Sequence, residues 1–175
     1  MSTGRGSGWR SEADAARALL GRTRVPVPDP VAIGAPGFGY PLPWSVQTWL
    51  VGHTAYDEDP STSTDFARDL AGFIADVRAL DVGGGTFSGV GRGGDLQAHD
   101  AWMRECLTTS AHLIDVPQLR RLWSRFCELP RTADDVITHG DLMPGNVLVA
   151  HGRLTGVLDV GGVGPADPAL DLVGA

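Results

Sequence analysis

The chain has 175 residues, 42% of them hydrophobic and 20% charged, the composition of a single soluble globular domain with a core of its own. A formal net charge of −7 argues against nucleic acid as a partner, because gripping phosphates takes a basic patch, whereas a cationic small molecule would suit it. The Gly/Ser/Arg-rich start has no apolar signal-peptide region and no apolar run reaches bilayer length, so no membrane is expected and a cytoplasmic location is. All 14 basic residues are arginine, so no lysine chemistry is available. Cys106 and Cys127 are too few for a disulfide framework or a zinc site and read as small apolar residues on helices.

Residues 1–10 are small, polar and aperiodic and read as disordered. Ser11 to Leu20 predicts a short helix, with capping-box spacing between Ser11 and Asp14 and Gly21 as the stop. Prolines stiffen Val25 to Pro30 into an extended run. Val31 to Ile33 and Trp44 to Val51 predict a hairpin around the glycine-rich turn Gly34 to Gly39, with Trp44, Val46 and Leu50 on one face of the longer strand. Gly52 to Ser63 reads as a polar loop. A helix opening at Thr64-Asp65 should bury Phe66, Leu70, Phe73, Val77 and Leu80.

Val82 to Gly94 is glycine-rich and reads as a mobile loop. Within it, Gly89-Val90-Gly91-Arg92-Gly93-Gly94 fits a dinucleotide fingerprint but follows no strand, so that reading fails its own context test. Leu96 to Leu107 predicts a second helix with Trp102, Met103, Cys106 and Leu107 inward. Asp115 should cap a third, with a core stripe of Val116, Leu119, Trp123 and Phe126, ended by Pro130. Asp167-Pro168 is a cap and first-position pair for a last helix.

The stretch Val136 to Asp159 organises the rest. β-formers lead into His139-Gly140-Asp141, Asn146 comes five residues after the aspartate, and Val147 to Val149 pairs with Leu154 to Leu158 around a tight turn. Asp159 ends the second strand. Asp141, Asn146 and Asp159 thus form a candidate cradle for a hard cation and a reacting hydroxyl. Phosphoryl transfer needs a carboxylate beside the acceptor hydroxyl and oxygen ligands for Mg²⁺, and protein kinases place their catalytic-loop asparagine five residues after the aspartate. A solvated, self-capped turn is the plain competing reading. A metal-dependent hydrolase built on His139, Asp141 and Asp159 fits less well, because it lacks a second histidine at ligand spacing.

His139-Gly140-Asp141-Leu142-Met143-Pro144-Gly145-Asn146-Val147-Leu148 resembles the catalytic motif of the aminoglycoside phosphotransferase family. Gly156 to Gly161 and Gly164 to Leu172 resemble that family's next block, and Val25 to Gly52 its last N-lobe strands and hinge. The resemblance implies an α+β, protein-kinase-like fold: a remnant N-lobe β-hairpin and a mostly helical C-lobe with a catalytic β-hairpin. It implies a divergent or disordered segment over 1–22, an N-lobe remnant and hinge over 23–52, and an incomplete C-lobe over 53–175. Asp141 would be the catalytic base, Asn146 and Asp159 would bind Mg²⁺, and the backbone of Thr48 and Leu50 would meet the ring of ATP or GTP. His139 would organise the loop, and Asp167 would cap its helix and support the loop.

The implied reaction is phosphorylation of a hydroxyl on a small-molecule acceptor, aminoglycosides leading. A non-catalytic remnant of the family is the alternative. This chain has one hairpin where the family carries a larger N-lobe, a phosphate-covering loop and a lysine, and it stops where family members continue. The expectation is a chain truncated at both ends, a poor kinase by itself, with an unpaired strand edge that invites association.

Overall fold

The computed structural model describes residues 12–87 and 92–172. Ser11 and the glycines at 89 and 91 lie outside the described residues. Helix α1 (Glu12–Leu19) is alanine-rich, and Ala13, Ala15, Ala16 and Leu19 are buried. Its small side chains let it lie on the turn at 160–162, with Glu12 against Gly161. Where it is described, the expected divergent segment 1–22 is therefore part of the core.

Strands β1 (Pro30–Gly34) and β2 (Trp44–Gln47) form the expected antiparallel hairpin. The Trp44 indole lies across Gly34, where a Cβ would stand 1.9 Å from the ring, so the close approach demands glycine. β2 is shorter than the sequence suggests, ending at Gln47 rather than Val51. The ladder lapses at Thr48: its N–H still donates to the Asp29 carbonyl at 2.9 Å, but the Asp29 N–H goes to the Thr48 hydroxyl at 2.8 Å rather than to a backbone carbonyl. Pro28 and Pro30 flank Asp29 and have no N–H with which to extend the ladder.

The catalytic hairpin forms as expected. β5 (Val147–Ala150) pairs with β6 (Arg153–Val157). The connecting residues His151 (φ 54°) and Gly152 (φ 69°) both adopt positive φ, the two-residue turn whose twist suits a hairpin. Two strands were not legible beforehand. β3 (His53–Thr54), inside the expected polar loop, adds to the outer edge of β5. β7 (Gly164–Ala166) pairs with β4 (Val136–Thr138), Thr138 opposite Gly164. A two-residue polar strand has no alternation to read, and Gly-Pro-Ala carries no strand propensity.

Helix α2 (Thr64–Arg78) begins at Ser63, whose hydroxyl accepts the Phe66 N–H at 3.1 Å and donates to the Gly152 carbonyl at 2.6 Å. One side chain thus caps the helix and ties it to the catalytic hairpin. Its inner face buries Leu70, Phe73, Ile74 and Val77 against β4 and β6. Complete burial of Phe73 contributes about 1.5–3 kcal/mol by its apolar area.

The remaining helices depart from expectation. Leu96–His99 is a 3₁₀ turn, and α3 (Asp100–Thr109) begins only after it. Of the four residues expected inward, only Leu107 is buried, and Trp102 is 62% exposed. α4 (Val116–Cys127), capped by Asp115 through the Gln118 N–H, buries no residue at all. The two helices pack on each other, with the Trp123 indole N–H donating to Asp100 at 3.0 Å. Amphipathic spacing says which face seeks cover, not whether another element is there to supply it. After Asp167 the chain makes a 3₁₀ turn (Pro168–Leu172) rather than an α-helix.

Candidate active site

β4 delivers His139 into the core, where it is fully buried and stands edge-on to Phe73 with ring centroids 6.3 Å apart. Its Nε2 lies 3.0 Å from the Leu158 carbonyl, which can only accept, and its Nδ1 takes the Asp141 N–H at 3.3 Å. Those partners define the neutral tautomer protonated at Nε2. Burial pushes the imidazole pKa down, against the pull of Asp171, the Leu158 carbonyl and the more distant Asp159 and Asp141.

Below the loop, the buried Asp171 carboxylate accepts the N–H of His139 at 3.1 Å and of Gly140 at 2.9 Å. Gly140 has φ +82°, and a Cβ there would be 3.0 Å from the Gly162 carbonyl, so the turn requires glycine. Asp171 is the site residue that the sequence reading passed over. Its signal was a lone carboxylate between Leu170 and Leu172 in an otherwise apolar turn. Asp167, expected to support the loop, accepts the Ala169 N–H at 2.8 Å and lies 3.6 Å from Arg131, while its own N–H donates to Gly93. It caps the turn, and its backbone N–H ties that turn to the 92–94 segment.

Asp141 is held by its backbone at both ends. Its N–H goes to His139, and its carbonyl accepts the Met143 N–H at 2.8 Å and the Asn146 side-chain amide at 2.9 Å. The carboxylate projects toward solvent and pairs with Arg92 at 2.6 Å. Asn146 is locked in turn, because its carbonyl accepts the Leu158 N–H at 2.8 Å. Its amide nitrogen donates to the Asp141 carbonyl, and its Oδ1 accepts no hydrogen bond among the described residues. One residue after Leu158, Asp159 adopts the left-handed conformation (φ 53°, ψ 59°), rare for a side-chain-bearing residue, and its exposed carboxylate makes no ion pair among the described residues. The Leu158–Asn146 bond thus brings the Asp141, Asn146 and Asp159 segments together.

The expected hinge residues lie to one side. The Thr48 N–H donates to the Asp29 carbonyl and its hydroxyl accepts the Asp29 N–H, so of its two backbone groups the carbonyl is the one left for a ligand. Leu50 leans over β6, its Cδ1 2.9 Å from where a Gly156 Cβ would stand. A cavity of about 850 Å³ runs along α2 beside Pro144 and Val147, and neither Asp141 nor Asp159 lines it.

Asn146 Oδ1 and the Asp159 carboxylate are hard oxygen donors. Two such ligands fit Mg²⁺, which commonly takes one or two protein oxygens and completes its shell with phosphates and water. No cluster of three or more His, Cys, Asp or Glu side chains suited to a metal occurs among the described residues. A caged zinc-type centre is thus not formed by them, and the hydrolase reading loses its ligand set. No described helix is long and apolar enough to cross a membrane.

The sequence profile of a phosphotransferase enzyme family matches residues 9–175. An aminoglycoside 3'-phosphotransferase of Escherichia coli is 29% identical over 136 residues, covering 74% of this chain and 50% of that protein. The chain therefore spans about half the length of such relatives. Among solved structures, the GDP complex of wild-type aminoglycoside 2'-phosphotransferase-IIIa superposes with a TM-score of 0.68 at 22% identity, covering 94% of this chain and 62% of that one. A related GDP and kanamycin complex superposes with a TM-score of 0.65 at 23% identity, over 94% of this chain and 63% of that one. These likenesses carry the kinase-like α+β fold, and the match across residues 9–175 makes the chain a member of the phosphotransferase enzyme family.

Proposed function

We propose that the chain carries the catalytic half-site for transfer of the γ-phosphoryl group of ATP or GTP to a hydroxyl of a small molecule, with aminoglycosides the leading acceptors. The observation that carries this reading is the pair of hydrogen bonds through Asn146, to Asp141 on one side and Leu158 on the other, which sets a candidate base beside a candidate metal ligand. In this reading the Asp141 carboxylate takes the acceptor's proton as its oxygen bonds to the γ-phosphorus. The bond from that phosphorus to the bridging oxygen breaks, and the nucleoside diphosphate leaves.

Asn146 and Asp159 would hold Mg²⁺, which supplies charge neutralisation at the nucleotide phosphates. His139, neutral and bonded at both nitrogens, organises the loop rather than carrying protons. The Thr48 carbonyl and the Leu50 backbone would face the base of the nucleotide, and a cytoplasmic setting, where nucleoside triphosphates are held, goes with this use. The acceptor class is supported by the names of the relatives and by the kanamycin bound to one structural neighbour.

The test supplies the purified chain with Mg²⁺, ATP or GTP, and kanamycin, and follows phosphorylated product by mass spectrometry. Slow product formation abolished by Asp141→Ala is the expected result. Nucleotide binding with no product from wild type would instead favour the non-catalytic reading.

A further inference from the structure

The arginine over the candidate base is not absorbed by the mechanism above. Arg92 donates from one terminal nitrogen to Asp141 at 2.6 Å, and its guanidinium pKa is raised first by that bond and also by the field of Asp159. Its positive charge therefore sits against the Asp141 carboxylate and in the field of Asp159. The side chain is still 63% exposed, and among the described residues Asp141 is the one group that its five N–H donors engage.

The backbone puts it there by construction. Gly93 has φ +108°, and a Cβ on it would stand 2.6 Å from the Ala166 Cβ and 3.0 Å from Leu170. The Gly93 carbonyl accepts the Asp167 N–H at 3.1 Å. Only glycine lets the segment lie this flat on β7, and that docking aims the preceding side chain at Asp141. The other ion-paired arginines among the described residues, such as Arg24 with Asp76, Arg68 with Asp65 and Arg153 with Asp69, engage carboxylates outside the site. The chain has no lysine.

Resting on the phosphotransfer reading, we propose that Arg92 grips the phosphoryl group in transfer. With the acceptor hydroxyl at Asp141 and the nucleotide phosphates at Asn146 and Asp159, the transferred group must lie between them, within reach of this guanidinium. A planar fork of donors suits phosphate oxygens, and a preorganised cation there stabilises the charge of the transition state. In the nucleotide-free site the same guanidinium neutralises Asp141. Arrival of the triphosphate draws it onto the γ-phosphate and frees the carboxylate for the acceptor hydroxyl. Nucleotide loading and exposure of the base are then one event.

The test is calorimetric titration of the wild-type chain, Arg92→Gln, Arg92→Lys and the surface control Arg68→Gln with AMP-PNP and with ADP, each with Mg²⁺. The wild type and Arg68→Gln should prefer the triphosphate analogue by about tenfold, the scale of one charge-assisted contact. Arg92→Gln should lose that preference with ADP affinity unchanged, and Arg92→Lys should recover part of it. Matching unfolding curves for wild type and Arg92→Gln show that the fold is intact. Retention of the preference in Arg92→Gln overturns the proposal, as does equal loss of AMP-PNP and ADP binding, which marks a merely structural role. Failure of the wild type to bind either nucleotide overturns the phosphotransfer reading and the role of Arg92 together, an outcome distinct from the other two.

Discussion

Asp171 holds the backbone of His139 from below, its carboxylate receiving that N–H at 3.1 Å and the neighbouring Gly140 N–H at 2.9 Å. A carboxylate that is 1% exposed and accepts two main-chain donors fixes the start of the His139–Asn146 loop from outside it. Asp171→Ala would leave both donors buried without partners. It should destabilise the chain by about 2–4 kcal/mol, read from urea unfolding. Asp171→Asn keeps the shape and one acceptor and should cost less. Asp167→Ala, which removes a turn cap and a partly exposed pairing with Arg131, should cost about 0.5–2 kcal/mol. Equal losses at the two aspartates would remove Asp171 from this role.

His139 makes stability depend on pH. Burial lowers its pKa below the ordinary imidazole value of 6.5, so near that pH the unfolded chain binds a proton that the folded chain refuses. The contribution is fully present above 6.5 and is lost as pH falls through the depressed folded value. The melting temperature of the metal-free chain should therefore drop on acidification below about pH 6.5. His139→Gln should be less stable at neutral pH yet flatter across this window. Parallel profiles for the two chains would show that another group carries the dependence.

Separate roles for the two aspartates predict separate defects. Asp141→Ala should lower turnover by about 10²-fold or more while Mg²⁺-nucleotide affinity is kept, because the base acts on the acceptor. Asp159→Ala should weaken Mg²⁺-nucleotide binding itself. Calorimetry on both variants, read beside product formation, decides the matter. Equal loss of nucleotide affinity in the two would contradict the assignment.

The β1–β2 hairpin is a two-stranded sheet to which no further strand is added among the described residues, and it exposes Val31 (67%), Ile33 (55%) and Val46 (50%). Unpaired edges lined by apolar side chains favour strand-to-strand association. Light scattering should show the chain associating as its concentration rises. The double variant Ile33→Lys with Val46→Glu should suppress this without altering nucleotide binding. Persistence of association in that variant would locate the contact elsewhere.

What the sequence determined alone is local. The five-residue step from Asp141 to Asn146, the β-formers on either side and the tight turn before Arg153 are short-range features, and turn chemistry and strand alternation act over a few residues whatever lies around them. The catalytic hairpin, the α2 face through Leu70, Phe73 and Val77, and the cap at Asp115 were legible for that reason. Tertiary structure decided everything that depends on a distant partner. Asp171 reaches His139 across 32 positions, and Arg92 reaches Asp141 across 49. β3 and β7 exist only because β5 and β4 offer them edges. Trp102 and Phe126 lie on apolar stripes that the fold leaves uncovered. A hydrophobic stripe or a lone carboxylate states a physical need, and only the folded chain determines which distant group meets it.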